Sequence, residues 1–132
     1  MTLRALLASA LLIAAATAAP VDAEEGYDWV PTKVQVAHVQ EVIAPEPLQA
    51  APMSIRNQYW TGLNEDGRRI IFGVLVRRDL DPADHPKEQR PSVNITPLDA
   101  MPGFFGYGCN AVFVRFDVDQ DKLERLFCSA SF

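Results

Sequence analysis

Residues 69–78, RIIFGVLVRR, constrain this chain more than any other stretch. Alternate residues of a β-strand leave on opposite sides. Here both sides are apolar, with Ile70, Phe72, Val74 and Val76 on one and Ile71, Gly73 and Leu75 on the other. Such a strand belongs in the middle of a sheet with both faces covered. Residues 56–63, RNQYWTGL, read as its hairpin partner. Between them Asn64-Glu65-Asp66-Gly67 suits a type I turn, with Gly67 taking the positive φ of a bulged hairpin. In a chain of 132 residues the strand's second face is short of covering material. The N-terminal segment and a second copy of the protein are the two candidates.

The chain opens on a different kind of segment. After Arg4, residues 6–16 (LLASALLIAAA) form an apolar run. It is shorter than the roughly 20 residues needed to span a bilayer and matches the h-region of a secretory signal peptide. Small residues precede two cleavage points, after Ala18 and after Ala23. The second is preferred, because Pro20 would break the h-region helix and Glu24-Glu25 begins a polar stretch. The expected product is exported, periplasmic or secreted, with no membrane span in its mature part. Basic residues that are mostly arginine favour a bacterial periplasm. A net charge of −5 with scattered basic residues argues against nucleic acid and anionic membrane, which need a clustered positive field.

The expected organisation is a signal peptide over residues 1–23, an N-terminal arm and proline-rich linker over 24–52, and one small domain over 53–132. Within the arm, residues 33–43 (KVQVAHVQEVI) carry Val36, Val39 and Ile43 at helical spacing but are rich in β-branched residues. Length tips the reading to a helix and leaves a strand open. Residues 79–91 are a charged loop broken by prolines, and residues 92–96 (SVNIT) a short strand. Thr96 as cap and Pro97 at the first position then predict a short helix over 97–101. The fold class is α+β: a small antiparallel sheet of four to five strands, one or two short helices, and a stapled C-terminal hairpin.

That hairpin, GCNAVFVRFDVDQDKLERLFCSA over residues 108–130, contains both cysteines. Setting Asp117 opposite Lys122 pairs Arg115 with Glu124, Phe113 with Leu126, Phe116 with Leu123 and Val112 with Phe127. Cys128 then faces Ala111, two residues from Cys109, a diagonal that a bulge permitted by Gly108 would shorten. A register shifted by two would set the cysteines opposite each other but would oppose Arg115 and Lys122. In either register both sulfurs leave one face. In an oxidising compartment a Cys109–Cys128 disulfide is expected. A redox pair would usually be a close C-x-x-C, and a zinc site needs about four ligands.

Other constellations are weaker. Asp117-x-Asp119-x-Asp121 has the alternation of a calcium loop, but Lys122 and Cys128 stand where glycine and glutamate are required. It reads as a solvated acidic turn. His38 lies in an apolar-rich segment and His85 among Asp79, Asp81 and Asp84, and neither is read as a metal ligand. No G-x-S-x-G elbow, P-loop or dinucleotide fingerprint is present, and no cofactor is expected. The loop MPGFFGYGC places Phe104, Phe105 and Tyr107 together. They could line a hydrophobic binding surface, or fold back over the sheet. Packing is favoured, because a small domain uses its aromatics for core first.

No characterised family is recognised in these residues. The leading expectation is a non-catalytic exported protein acting by contact with a protein partner or with itself. A small-ligand binding module with a pocket under Phe104, Phe105 and Tyr107 is the alternative. A small hydrolase built on paired carboxylates is the third, since such pairs leave no sequence signature.

Overall fold

The computed structural model describes residues 25–47, 52–83 and 91–129. The expected signal peptide, most of the 79–91 loop and His85 lie outside those residues. The fold is α+β, and the described residues form one α-helix, α1 (Lys33–Ile43), and five strands. The strands are β1 (Arg56–Glu65), β2 (Arg68–Arg77), β3 (Val93–Ile95), β4 (Ala111–Asp117) and β5 (Lys122–Cys128), in the order β3-β1-β2-β4-β5. The expected central strand is therefore the third of five.

The β1–β2 hairpin is tighter than the sequence suggested. Glu65 pairs with Arg68, and the two residues between them, Asp66 and Gly67, both have positive φ, 52° and 80°. A two-residue turn of that hand matches the twist of the strands, which a type I turn does not. β1, β2, β4 and β5 pair antiparallel in succession, and β3 runs parallel to β1. The parallel pairing follows from connectivity. β2 ends beside the start of β1, so a strand begun on β1's far side from that end must run with β1.

Two further segments each cover one face of the sheet. On the first face α1 contributes Val36, Val39 and Ile43 to one cluster with Trp60, Ile71, Leu75, Val112, Val114 and Phe116. The helix is started by a reciprocal cap, in which Thr32 accepts from the Gln35 amide and the Gln35 side chain accepts from the Thr32 amide. α1 thus packs into the same core cluster that the sheet builds. The second face is crossed by residues 96–110. β3 and β4 lie on opposite sides of the β1–β2 pair, so their connection has to pass over a face, and α1 occupies the other one. This crossing brings Phe104 into a cluster with Tyr59, Val74, Val76 and Ala111, flanked by Met101 and Tyr107. The expected helix over 97–101 is reduced to a single 3-10 turn, Leu98–Ala100. Thr96 does not cap it: Pro97, which has no side-chain hydrogen-bonding group, stands at the cap position, and the Thr96 amide donates to the Trp60 carbonyl at 2.8 Å as part of the sheet edge.

Both glycines within the strands of the central hairpin seat tryptophans. A Cβ at Gly73 would stand 2.3 Å from the six-membered ring of Trp60, its cross-strand neighbour. A Cβ at Gly62 would stand 2.6 Å from the indole of Trp29, whose backbone bridges to Gly62 past the end of β3. The Trp60 indole is fully buried and donates to Gln58 Oε1 at 2.9 Å, and that same oxygen accepts from Gln40 of α1 at 2.7 Å. Gly73 thus leaves room for a ring that also links the helix to the sheet.

Gly73→Ala should destabilise the fold by at least about 1–3 kcal/mol, the usual cost of overpacking a filled core. Urea unfolding followed by tryptophan fluorescence would measure it. A midpoint unchanged from the native protein would show that Trp60 is not held against Gly73.

Candidate interaction face

The C-terminal hairpin keeps the expected turn and changes the rest of its register. Asp117 faces Lys122 and Phe116 faces Leu123, as the charge and apolar pairing implied. Between Phe116 and Arg115 the register then shifts, so Arg115 faces Arg125, Phe113 faces Phe127 and Val112 faces Cys128. The extra residue on β5 is Glu124. A slip of one residue turns the rest of the strand over. Phe127, expected against Val112 on the helix face, instead lies beside Phe113 on the opposite face.

The disulfide forms between Cys109 and Cys128, with Cα atoms 4.6 Å apart. Neither expected register brings it about. Cys109 sits in a 3-10 turn, Gly108–Asn110, that brings it back towards the end of β5. A buried guanidinium fixes that turn. Arg56 donates to the carbonyls of Leu75 at 3.1 Å, Asn110 at 3.0 Å and Cys109 at 2.7 Å. Burial, and next the nearby Arg77 guanidinium, lower the Arg56 pKa from its ordinary value.

The aromatic loop divides its three rings. Phe104 is buried, Tyr107 packs edge-on against it with ring centroids 4.9 Å apart, and Phe105 is 75% exposed. Phe104 and Tyr107 fill the space between loop and sheet at one end of the second face. At the other end is a charged lid. Arg115 of β4 donates to both oxygens of Glu65 on β1, at 3.0 and 2.6 Å. The two strands lie on either side of β2, so the pair passes over it at the level of Ile70, which is fully buried. Arg68 donates to Asp117 at 2.8 Å and also to Glu124, the residue that the bulge delivers to this face. Those contacts, to Glu124 first and then to Asp117, raise the Arg68 pKa. Hydrogen bonds from Arg115 hold the Glu65 carboxyl below its usual range. The Gln120 amide, and then Arg68, do the same for Asp117 against the opposing effect of burial.

Between loop and lid an aromatic strip is left half-exposed. Phe72 and Phe113 stack with centroids 6.1 Å apart, Phe113 and Phe127 lie 5.3 Å apart, and Arg125 stands 4.2 Å over the Phe127 ring. Sequence alternation places Phe72 and Phe113 on this face but cannot place Phe127, because nothing in KLERLFC marks the bulge.

The remaining candidates are dispersed. The three aspartates of the acidic turn have three different partners: Asp117 takes Arg68, Asp119 takes Arg69 at 3.0 Å, and Asp121 takes His38 of α1 at 2.6 Å. Among the described residues no group of three or more His, Cys, Asp or Glu is placed to hold a metal ion. Asp81 accepts from Asn57 at 2.8 Å and from the Tyr59 hydroxyl. Burial first, then that bond and the Asp81 charge, raise the Tyr59 pKa and keep its phenol protonated. Asp81 lines a cavity of about 500 Å³ together with Asn57, Arg77, Arg78 and Asp79. A groove of about 410 Å³ separates α1 from β3. Among the described residues no helix is long and apolar enough to cross a membrane. No family model, curated protein or solved structure matches the chain.

Two measurements address the ties at the ends of this face. Replacing Cys109 and Cys128 together with serine should lower stability by about 3 kcal/mol in the chain-entropy account of a loop this long. Urea unfolding of the double variant against the oxidised protein would read it, and equal stabilities would deny the staple its role. The depressed Asp117, Asp119 and Glu65 carboxyls favour the folded state above their unfolded pKa values, near about 4, and lose that contribution as pH falls through their folded values. Stability should therefore fall as pH drops below about 4, and Asp117→Asn should make that slope shallower. An unchanged acid slope in Asp117→Asn would remove Asp117 from the account.

Proposed function

We propose that this is an exported, non-catalytic protein that works by contact with another protein, and that the strip of Phe72, Phe113 and Phe127 is its contact face. The observation carrying this reading is the half-exposed row of three rings on adjacent strands, bounded by the aromatic loop and the arginine–carboxylate lid. Aromatic and arginine side chains are enriched where proteins meet, and Arg125 over Phe127 adds both to one spot. Export is supported by the apolar run at residues 6–16 and by the disulfide, which persists in oxidising compartments.

The competing readings have less behind them. A ligand pocket under the aromatic loop would need the space that Phe104 and Tyr107 fill with each other's rings. A carboxylate hydrolase needs a general acid with a raised pKa, whereas Glu65 and Asp117 are depressed by their hydrogen-bond donors.

Site-specific crosslinking tests the contact face. A photoreactive phenylalanine analogue at position 127 should give a discrete adduct in cells expressing the full chain. The same group at Val34, which is 78% exposed on α1, should not. No adduct from position 127, or the same adduct from both positions, would overturn the assignment. Cell fractionation with N-terminal sequencing would test export, with Glu24 as the expected first residue.

A further inference from the structure

A second surface, away from the phenylalanine strip, has the chemistry of a strand acceptor. β3 is an edge strand whose inner side is fully used. Gln58 donates to the Ser92 carbonyl at 2.8 Å and Thr96 to the Trp60 carbonyl at 2.8 Å. In a parallel ladder with that phase, Ser92, Asn94 and Thr96 face β1, and Val93 and Ile95 direct their backbone groups outward. The Ile95 carbonyl accepts from the Tyr27 hydroxyl at 3.1 Å. The Val93 amide, the Val93 carbonyl and the Ile95 amide have no hydrogen-bond partner among the described residues.

The side chains of the same two residues point toward α1. Val93 pairs with Gln58 and Ile95 with Trp60, and Trp60 lies in the cluster that packs on the helix. Between strand and helix lies the groove of about 410 Å³, lined by Val36, Val93 and Ile95 with Lys33 and Gln40 at its polar positions. Val93 is 54% exposed there. Lys33 is the one charged residue of that lining and has no anionic partner among the described residues.

The geometry points to β3 as the docking edge for an extended segment of a partner protein, one carrying apolar residues at alternate positions and a carboxylate for Lys33. Each part of that description answers a feature of the site. Outward amides and a carbonyl spaced along a strand are satisfied in register by another extended backbone. Alternate side chains of the added strand would fall on the helix side of the sheet, into the apolar groove. A carboxylate beside Lys33 supplies the charge that the groove lacks. Three residues give only a short ladder, so side chains in the groove must supply much of the affinity and the selectivity.

The test uses a library of random ten-residue peptides selected against the purified, oxidised protein. The expected winners alternate apolar residues and carry an acidic one. Their binding should protect the Val93 and Ile95 amides from hydrogen exchange. Val93→Pro removes an outward amide that β1 does not use, so the sheet pairing is retained. It should weaken the selected peptides at least tenfold. The exposed Lys33→Glu gives a second variant should Val93→Pro fold poorly. It should weaken acidic peptides at least tenfold and spare their amidated, uncharged counterparts. No selected peptide, or selected peptides that bind both variants as well as the native protein, would overturn the assignment. A dimer abolished by Val93→Pro would reassign the edge to a second copy and overturn it equally. Replacing Phe127 leaves this edge untouched, so failure of the strip and failure of the edge are read separately.

Discussion

The indole of Trp60 occupies the space that any side chain at position 73 would need, and much of the molecule is arranged around that substitution of ring for side chain. With glycine at the centre of β2, a large aromatic from the neighbouring strand can lie across the sheet and still be fully buried. Its buried nitrogen requires an acceptor, which Gln58 supplies, and the Gln58 oxygen in turn takes the Gln40 amide from α1. The helix is therefore positioned by a polar link as well as by Val36, Val39 and Ile43. Trp29 over Gly62 repeats the device one strand away, and ties down the segment that leads into the helix.

The two faces of the sheet are closed by different physics. Apart from the Gln58–Gln40 link, the helix face is closed mainly by apolar side chains and gains from removing hydrocarbon from water. Among the described residues the other face is crossed by one loop, the connection from β3 to β4. Its far end is closed by arginines lying over Ile70, whose aliphatic stems cover hydrocarbon while their heads pair with Glu65, Glu124 and Asp117. Such a lid protects what lies beneath it and leaves its upper surface polar. Among the described residues the strip between loop and lid is left partly exposed.

Much of this was legible in the sequence, and the misses have specific causes. RIIFGVLV identified the central strand and both of its faces, because period-two alternation survives any change of neighbours. The α+β class and the Cys109–Cys128 bond followed from the same kind of pattern. The parallel edge strand did not, since its direction depends on where β2 ends relative to β1. The placement of Phe127 failed for a subtler reason. Pairing Arg115 with Glu124 was right as an interaction, and the two do meet at 3.5 Å. The contact is made across a bulge, so the charge rule that located the turn misplaced the strand beyond it. Local chemistry found the partners, and the register depended on a twist of the sheet that no single pair encodes.

The turn holding Cys109 shows how two unlike ties can act on one element. The disulfide acts chiefly by restricting the unfolded chain, so its effect persists whatever the folded geometry around it. Arg56 acts only once the fold exists, because the carbonyls of Leu75, Cys109 and Asn110 that accept from it come from β2 and from the turn before β4, which converge on it only in the folded chain. A buried guanidinium satisfied in this way leaves little freedom in where Cys109 can stand. The sulfurs are thus brought together by hydrogen bonding that does not itself require oxidation. The disulfide and these hydrogen bonds thus hold the same turn, the one chiefly through the unfolded chain and the other through the folded one.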